Sequence, residues 1–393
     1  MLVIAAPGQG AQAPGFLAPW LDEPHFTDRL NWLSAVGGLD LAHYGTVADA
    51  ETIRDTAVAQ PLLVASSMLA ALSLFPHPAD AFGRIGGVAG HSVGEIAAAA
   101  GAGVISAEQA MVFVRERGRA MASASAARAT GMTAVLGGDR DEVLQSLERH
   151  GLTAANDNGA GQLVAAGTLE QLQRLGDEPP TKARLVPLSV AGAFHTEHML
   201  PAVDVLARLA RAVSTRDTRT RLISNRDGQV VHSGQEVLRR LVEQVSTPVR
   251  WDLCMQTMAD LGVTGLLEMP PAGTLTGIAK RQLKGVETFA LKTPDQLDDA
   301  RDFVERHGDA SPMDSTPTWR MLVSPAKGTF ARADDIPQGV LLVPGGTVGA
   351  VTNLRGSTSV LAPYGGTIVE WFVEDGDLVS PGQPLVRLHP ESE

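Results

Sequence analysis

The stretch "RIGGVAGHSVGEIAAAAGAGVI" (residues 84–105) runs an apolar segment into a glycine-flanked corner and out into a series of alanines. "RIGGVAG" reads as a short buried strand, because its apolar residues are continuous and it ends in glycine. "VGEIAAAAGAGVI" reads as a helix built on alanine, the strongest helix former. Between them, "GHSVG" fits the G-x-S-x-G nucleophile elbow, in which the glycines let a strand turn so sharply into a helix that the serine, here Ser92, is forced outward. The helix that begins there offers unpaired N–H groups and the positive end of its dipole, which places the Val93 amide to meet a developing oxyanion. A match to so short a pattern arises by chance in roughly one chain in five of this length. On its own it marks only a candidate serine nucleophile.

The flanking sequence supports an α/β chain. "LVIAA" (2–6) is a buried-type strand that stops at the breaker cluster "PGQGAQ", and "QPLLVASSMLAALSLF" (60–75) keeps its apolar residues over four turns. "SAEQAMVFVRERGRAMASASA" (106–126) predicts a helix opened by a Ser-Ala-Glu cap signature. From 130 to 190 the character changes: "TGMTAVLGG" and "GQLVAAGT" alternate like strands, and "DRDEVLQSLERHG" and "TLEQLQRLG" are short amphipathic helices. This predicts a small α+β subdomain at 128–190, inserted in a core made of 1–127 and 191–307. "GDASPMDSTP" (308–317) has nothing to bury and predicts a linker, taken as 308–319. From 320 to 393, short Val and Leu strands broken by Gly and Pro predict a small all-β unit.

Composition narrows the function classes. A net charge of −12 opposes binding to nucleic acid or anionic lipid. The single cysteine, Cys254, leaves no internal disulfide and no Cys-cluster metal site, and a buried thiol fits a reducing cytoplasm. The N-terminus has no basic region, and the longest apolar run, around 96–105, is half a membrane span. The expectation is a cytoplasmic protein that neither crosses nor binds a membrane.

A nucleophilic serine needs a base. His195 in "AGAFHTEHM" is the better candidate because it follows an apolar strand and lies just before a helix, where side chains at strand ends point into the crevice of an open α/β sheet; His198 competes with it, and His91 is held too tightly beside Ser92.

Taken together, "PGQGAQ", "GHSVGE", "RGRAM" near 117 and "AFHT" near 195, with "ANDNGAGQLVAAG" (155–167) and "EQVSTPVRW" (243–251), resemble the malonyl-CoA:acyl carrier protein transacylases of fatty acid synthesis over roughly residues 1–300. The resemblance implies an α/β-hydrolase-like core carrying a ferredoxin-like subdomain. It also implies site roles: Ser92 as nucleophile, His195 as base, and the backbone N–H groups of Gln9 and Val93 as the oxyanion hole. The main-chain carbonyl of Gln244 would orient the histidine in place of a carboxylate. Arg117 would grip the malonyl carboxylate through two charge-assisted hydrogen bonds, with Arg115 and Arg119 on a solvated face. Phe194 would crowd an α-methyl branch and favour malonyl over methylmalonyl. Malonyl-CoA is the implied substrate and an acidic, phosphopantetheinylated acyl carrier protein the implied partner, with no bound cofactor or metal. Lys280, Arg281 and Lys284 of "AKRQLK" offer a basic patch for that partner or, equally, a solvated helix face. The chain departs from the family pattern at "EMPPAG", where Pro270, Pro271 and Ala272 replace a Gly-Pro-Gly loop.

Two neighbouring readings stay open: an extender-unit acyltransferase of polyketide synthesis, and an acyl-CoA or acyl-carrier hydrolase of the same fold. In the tail, "VEDGDLVSPGQPLVRL" (373–388) resembles the second half of biotinyl and lipoyl carrier domains, which are small barrel-sandwich modules. Arg355 stands where their modified lysine would be and cannot form the amide. Lys327, the module's single lysine, lies off that hairpin. The expectation is an unmodified module that docks another protein or acts as a spacer.

Overall fold

A computed structural model of the protein describes residues 1–308 apart from Ala191, and residues 320–389 apart from Asp334, Asp335, Gln338, Arg355 and Tyr364. The linker read at 308–319, beyond Gly308, and the Arg355 reading therefore lie outside the described residues. The chain divides into two compact units, Met1–Met313 and Asp314–Glu393.

The first unit is built on a six-stranded sheet in the order Glu287–Ala290, Gly265–Glu268, Leu2–Ala6, Gly87–Gly90, Arg221–Ile223, Val230–Val231. Its first five strands run parallel and the last is an antiparallel edge. Every residue of Leu2–Ala6 is buried, which follows from a parallel strand covered on both faces. The period of two sorts them: Leu2, Ile4 and Ala6 join the larger core with the helices Thr56–Leu74 and Ala107–Ala126, and Val3 and Ala5 join a second core with Trp251–Asp260 and Thr274–Gln282.

Thr56–Leu74 has the length and apolarity to cross a membrane, but 78% of that window is buried within the fold. Its first turn is capped by Asp55, whose carboxylate accepts from the Ala57 N–H at 2.8 Å. Ala107–Ala126 opens with a capping box in which Ser106 is paired with Gln109, the third helical residue, and not with the glutamate of the Ser-Ala-Glu signature. After the strand Gly265–Glu268, the buried Glu268 carboxylate accepts from the N–H groups of Gly273, Leu275 and Thr276, tying down the start of Thr274–Gln282. The carbonyl of Pro270, in the proline-rich loop, accepts from Ser66 and Ser67 of the buried helix.

A five-stranded sheet follows the order Ala183–Pro187, Thr130–Gly137, Gln162–Thr168, Thr153–Asp157, Val249–Arg250. Helices Arg140–Arg149 and Leu169–Asp177 close its own core around Val135, Val143, Leu147, Leu163 and Leu175. Its fifth strand comes from far along the chain and pairs parallel to Thr153–Asp157. The strand preceding His195, Ala183–Pro187, belongs to this sheet and not to the main one. His195 is therefore placed by a turn and not by the end of a parallel strand.

The second unit consists of two four-stranded antiparallel sheets. They enclose Phe330, Val348, Val351, Ile368, Val386 and Leu388, and the Arg332 guanidinium lies 4.1 Å over the Trp371 ring. Strands Gly346–Asn353 and Gly356–Ala362 pair with Asn353 opposite Gly356.

Backbone packs closely on backbone at the elbow. A Cβ on Gly94 would run into the carbonyl oxygen of Ala6 and lie 2.7 Å from that of Pro7. These are backbone atoms, which cannot rotate away. Gly94→Ala should therefore cost about 1–3 kcal/mol, as overpacking typically does, read as a lower denaturant midpoint at unchanged m. Gly277→Ala, on a helix with no heavy atom within 4 Å of the added carbon, should not lower the midpoint. Equal midpoints for Gly94→Ala and the parent would refute the packing argument.

Candidate active site

Ser92 connects strand Gly87–Gly90 to helix Gly94–Gly101 and takes a left-handed backbone with φ of 52°. Such a conformation costs a non-glycine residue of order 1–3 kcal/mol and persists where the surroundings dictate it. They do so here: the Ser92 N–H donates to Asn225 Oδ1 at 2.7 Å, and Asn225 Nδ2 donates to the Gly90 carbonyl at 2.7 Å. Asn225 follows strand Arg221–Ile223, the neighbour of the elbow strand in the sheet, so one side chain braces both ends of the turn.

His195 also has a positive φ, 61°, and its N–H donates to the Val245 carbonyl at 2.9 Å. Its Nδ1 lies 2.8 Å from the Gln244 carbonyl oxygen. A carbonyl only accepts, so Nδ1 carries the proton and Nε2, 2.8 Å from Ser92 Oγ, is left to accept. Burial first, and then the nearby Arg117 charge, lower the His195 pKa from 6.5 to about 3. The imidazole is thus neutral at neutral pH, the state a general base requires. His198 sits on the turn Glu197–Met199 and makes no hydrogen bond to Ser92 among the described residues. His91 is occupied by Asn158 Oδ1 at 2.8 Å, a contact from the five-stranded-sheet region onto the elbow.

Arg117 is 1% exposed, unlike Arg115 and Arg119, which pair with Glu116 nearer the surface. Its Nη1 donates to Gln60 Oε1 at 2.7 Å and its Nη2 to Gln244 Oε1 at 2.9 Å. Nη2 also reaches Ser92 Oγ at 3.3 Å, and the buried Nε has no partner. Burial lowers the guanidinium pKa to about 9, opposed by the Glu95 charge, and leaves it cationic at neutral pH.

Gln9 and Val93 flank the serine. A Cβ on Gly8 would lie 2.8 Å from the His91 carbonyl oxygen, so the Gln9 loop packs directly on the elbow. The Gln9 amide is tied to Arg54 O and Thr56 Oγ1, and among the described residues neither the Gln9 nor the Val93 backbone N–H has a protein acceptor. Phe194 is buried in the larger core. No group of three or more potential metal ligands occurs among the described residues.

Three polar residues that the sequence reading passed over complete the site: Gln60, Asn225 and Glu95. The 2%-exposed Glu95 accepts from the Asn225 N–H at one oxygen and from Gln244 Nε2 at the other. A local signal existed, since Gln60 and Glu95 are polar residues inside apolar helical runs. What they bond to lies 57 to 149 residues away.

Residues 5–307 match the acyl transferase domain family. The malonyl CoA-acyl carrier protein transacylase of Mycobacterium tuberculosis is 52% identical over 299 residues, 76% of this chain and 99% of the relative. The crystal structure of that organism's MCAT superposes with a TM-score of 0.74 at 51% identity, covering 77% of this chain and 99% of that one. A malonyl-transacylase in complex with its type II polyketide acyl-carrier protein superposes with a TM-score of 0.70 at 29% identity, covering 77% and 99%.

Burial dominates the Glu95 carboxyl and raises its pKa from 4.5 to about 7. The folded state therefore holds a proton that the unfolded chain has lost between those values, so this group's stabilisation is full below about 4.5 and is lost as pH rises to about 7. His195, lowered to about 3, contributes with the opposite sign below its usual 6.5. The difference between the parent and Glu95→Gln isolates the carboxyl: parent minus variant stability should fall steadily from pH 4.5 to 7. A pH-independent difference, measured by denaturant unfolding, would show that Glu95 does not titrate there.

Proposed function

Since the chain belongs to the family of malonyl-CoA:acyl carrier protein transacylases, we propose that its elbow serine carries malonyl from coenzyme A to the phosphopantetheine thiol of acyl carrier protein, in fatty acid synthesis. Ser92 Oγ attacks the thioester carbonyl as its proton passes to His195 Nε2. The carbon–sulfur bond breaks, and coenzyme A leaves as a thiol with that proton. The carrier thiol then gives its proton to His195 and attacks the malonyl ester, and the proton returns to Ser92. In both tetrahedral intermediates the oxyanion takes hydrogen bonds from the Gln9 and Val93 backbone N–H groups. The Gln244 carbonyl holds the imidazole through the cycle.

The observation that carries the malonyl reading is the unpaired Nε of Arg117. Nε and Nη2 form the side of the guanidinium that matches a carboxylate; Nε has no acceptor, and Nη2 points at Ser92 Oγ. A malonyl group on Ser92 supplies the missing acceptor, which an acetyl group lacks. Phe194, packed before the base, leaves little room for an α-methyl branch. Lys280, Arg281 and Lys284 are exposed and have no hydrogen-bond or ion-pair partner among the described residues, which suits them to an acidic carrier protein.

The finer fold reading is an α/β-hydrolase-like core over 1–127 and 191–307, interrupted by a ferredoxin-like subdomain at 128–190; the parallel sheet and the four-stranded antiparallel arrangement with two helices support it. The 320–393 unit reads as an unmodified barrel-sandwich of the biotinyl/lipoyl type with a docking role, supported by its paired antiparallel sheets. The buried free thiol of Cys254 suits a cytoplasmic setting.

Arg117→Ala removes two charge-assisted bonds to malonyl, and kcat/KM for malonyl should fall at least about a hundredfold, with acetyl transfer changed far less. Ser92→Ala should abolish covalent malonyl labelling. Equal losses for malonyl and acetyl, or labelling of Ser92→Ala, would refute the assignment, and dominant hydrolysis in single-turnover transfer to carrier protein would make the chain a hydrolase. The intact mass of natively expressed protein should show no biotinyl or lipoyl addition; either addition would overturn the unmodified reading.

A further inference from the structure

Against helix Gly94–Gly101 lies a cavity of about 720 Å³ that is lined from Ala6 and Ala89 past Ala97 to Gly101 and Gly103, within the roughly 300–1,000 Å³ of small-molecule sites. Neither Ser92, His195, Arg117 nor Gln9 lines it. Its walls are mostly apolar: Met68 and Leu72 from the buried helix and Phe75 just after it, Val88 from the sheet, Ala98 from the elbow helix, and Ile105. The alanines of the elbow helix leave this space, because a larger side chain at Ala98 would fill it.

Cationic groups gather at one rim, where Arg216 and Arg219 are exposed. Neither guanidinium has a hydrogen bond or ion pair among the described residues; that of Arg219 lies 5.4 Å over the Phe82 ring. Their backbone positions are nonetheless fixed. The Arg216 N–H donates to the Val104 carbonyl and the Arg219 N–H to the Ala102 carbonyl, each at 2.9 Å.

We propose that this cavity is a second binding site, for a straight-chain fatty acyl group with an anionic head: the alkyl chain fills the apolar space, and the head is held by Arg219 and Arg216. An apolar interior of this size offers water few partners and favours hydrocarbon. The arginines supply a planar fork matched to a carboxylate or phosphate. A free fatty acid and an acyl-CoA share this chemistry. The site is independent of the transfer reaction, although the elbow helix forms a wall of one and the corner of the other.

Calorimetric titration of the full chain with octanoate, decanoate and dodecanoate below their micelle concentrations, with decanol and with decanoyl-CoA, tests it. Saturable one-to-one binding is expected, tightening about fourfold per methylene until the cavity is full. Decanoate should bind at least about tenfold more tightly than decanol. Leu72→Trp, which fills the cavity, should abolish binding of all the ligands. Arg216→Glu with Arg219→Glu, both on the surface, should weaken decanoate about tenfold or more and leave decanol unchanged. Malonyl labelling of Ser92 in each variant reports that it is folded. Tighter binding of decanoyl-CoA with the same dependence on the variants supports the site and assigns it to the thioester. Absence of saturable binding by every acyl ligand, or affinities that ignore chain length or both sets of variants, would overturn it.

Discussion

A guanidinium withdrawn from water must find acceptors, and Arg117 finds them on residues that also build the rest of the site. Gln60 holds one nitrogen and Gln244 the other. The same Gln244 turns its main-chain carbonyl to His195 and its amide to Glu95, and Glu95 in turn receives the N–H of the asparagine that braces the elbow. Charge recognition, base orientation and nucleophile geometry thus share one chain of hydrogen bonds. Each member is buried, so a broken link leaves a polar atom without water to replace it. Among these buried side chains, Arg117 keeps its Nε donor unpaired beside the serine.

The orientation of the base shows how the site dispenses with a triad carboxylate. A neutral carbonyl fixes the tautomer as a carboxylate would, but adds no negative charge that would stabilise an imidazolium. Burial, and then the nearby Arg117 charge, keep His195 from protonation. The acidic group that is present, Glu95, stands behind Gln244, where its charge bears on Arg117 and not on the imidazole directly.

What the sequence disclosed follows the range of the interactions. The corner at Ser92 was legible because its cause is local: two glycines within two residues on either side and a helix that starts at once. Arg117 could be told from Arg115 and Arg119 only through the family's motif, since all three share one helical segment and only packing decides which is buried. Glu95 and Asn225 went unread as site residues because nothing nearby indicates what they bond to. The strand Val249–Arg250 was missed for a related reason: two residues carry no period, and its partner strand lies about ninety residues earlier. In the tail the Gly and Pro punctuation was enough to predict an all-β unit, because turns there are set residue by residue.

The five-stranded sheet takes its last strand from the segment that begins, a few residues earlier, with the carbonyl that orients His195. As the chain leaves the ribosome, Ser92 and Arg117 appear more than a hundred residues before that segment does. Until it arrives the sheet has an open edge, the imidazole has no carbonyl to fix its tautomer, and Arg117 lacks one of its acceptors. A nascent chain shorter than Gln244 therefore holds the nucleophile without its base poised. The stretch from Gln244 to Arg250 thus both closes the inserted sheet and supplies the groups that hold the imidazole and one nitrogen of Arg117.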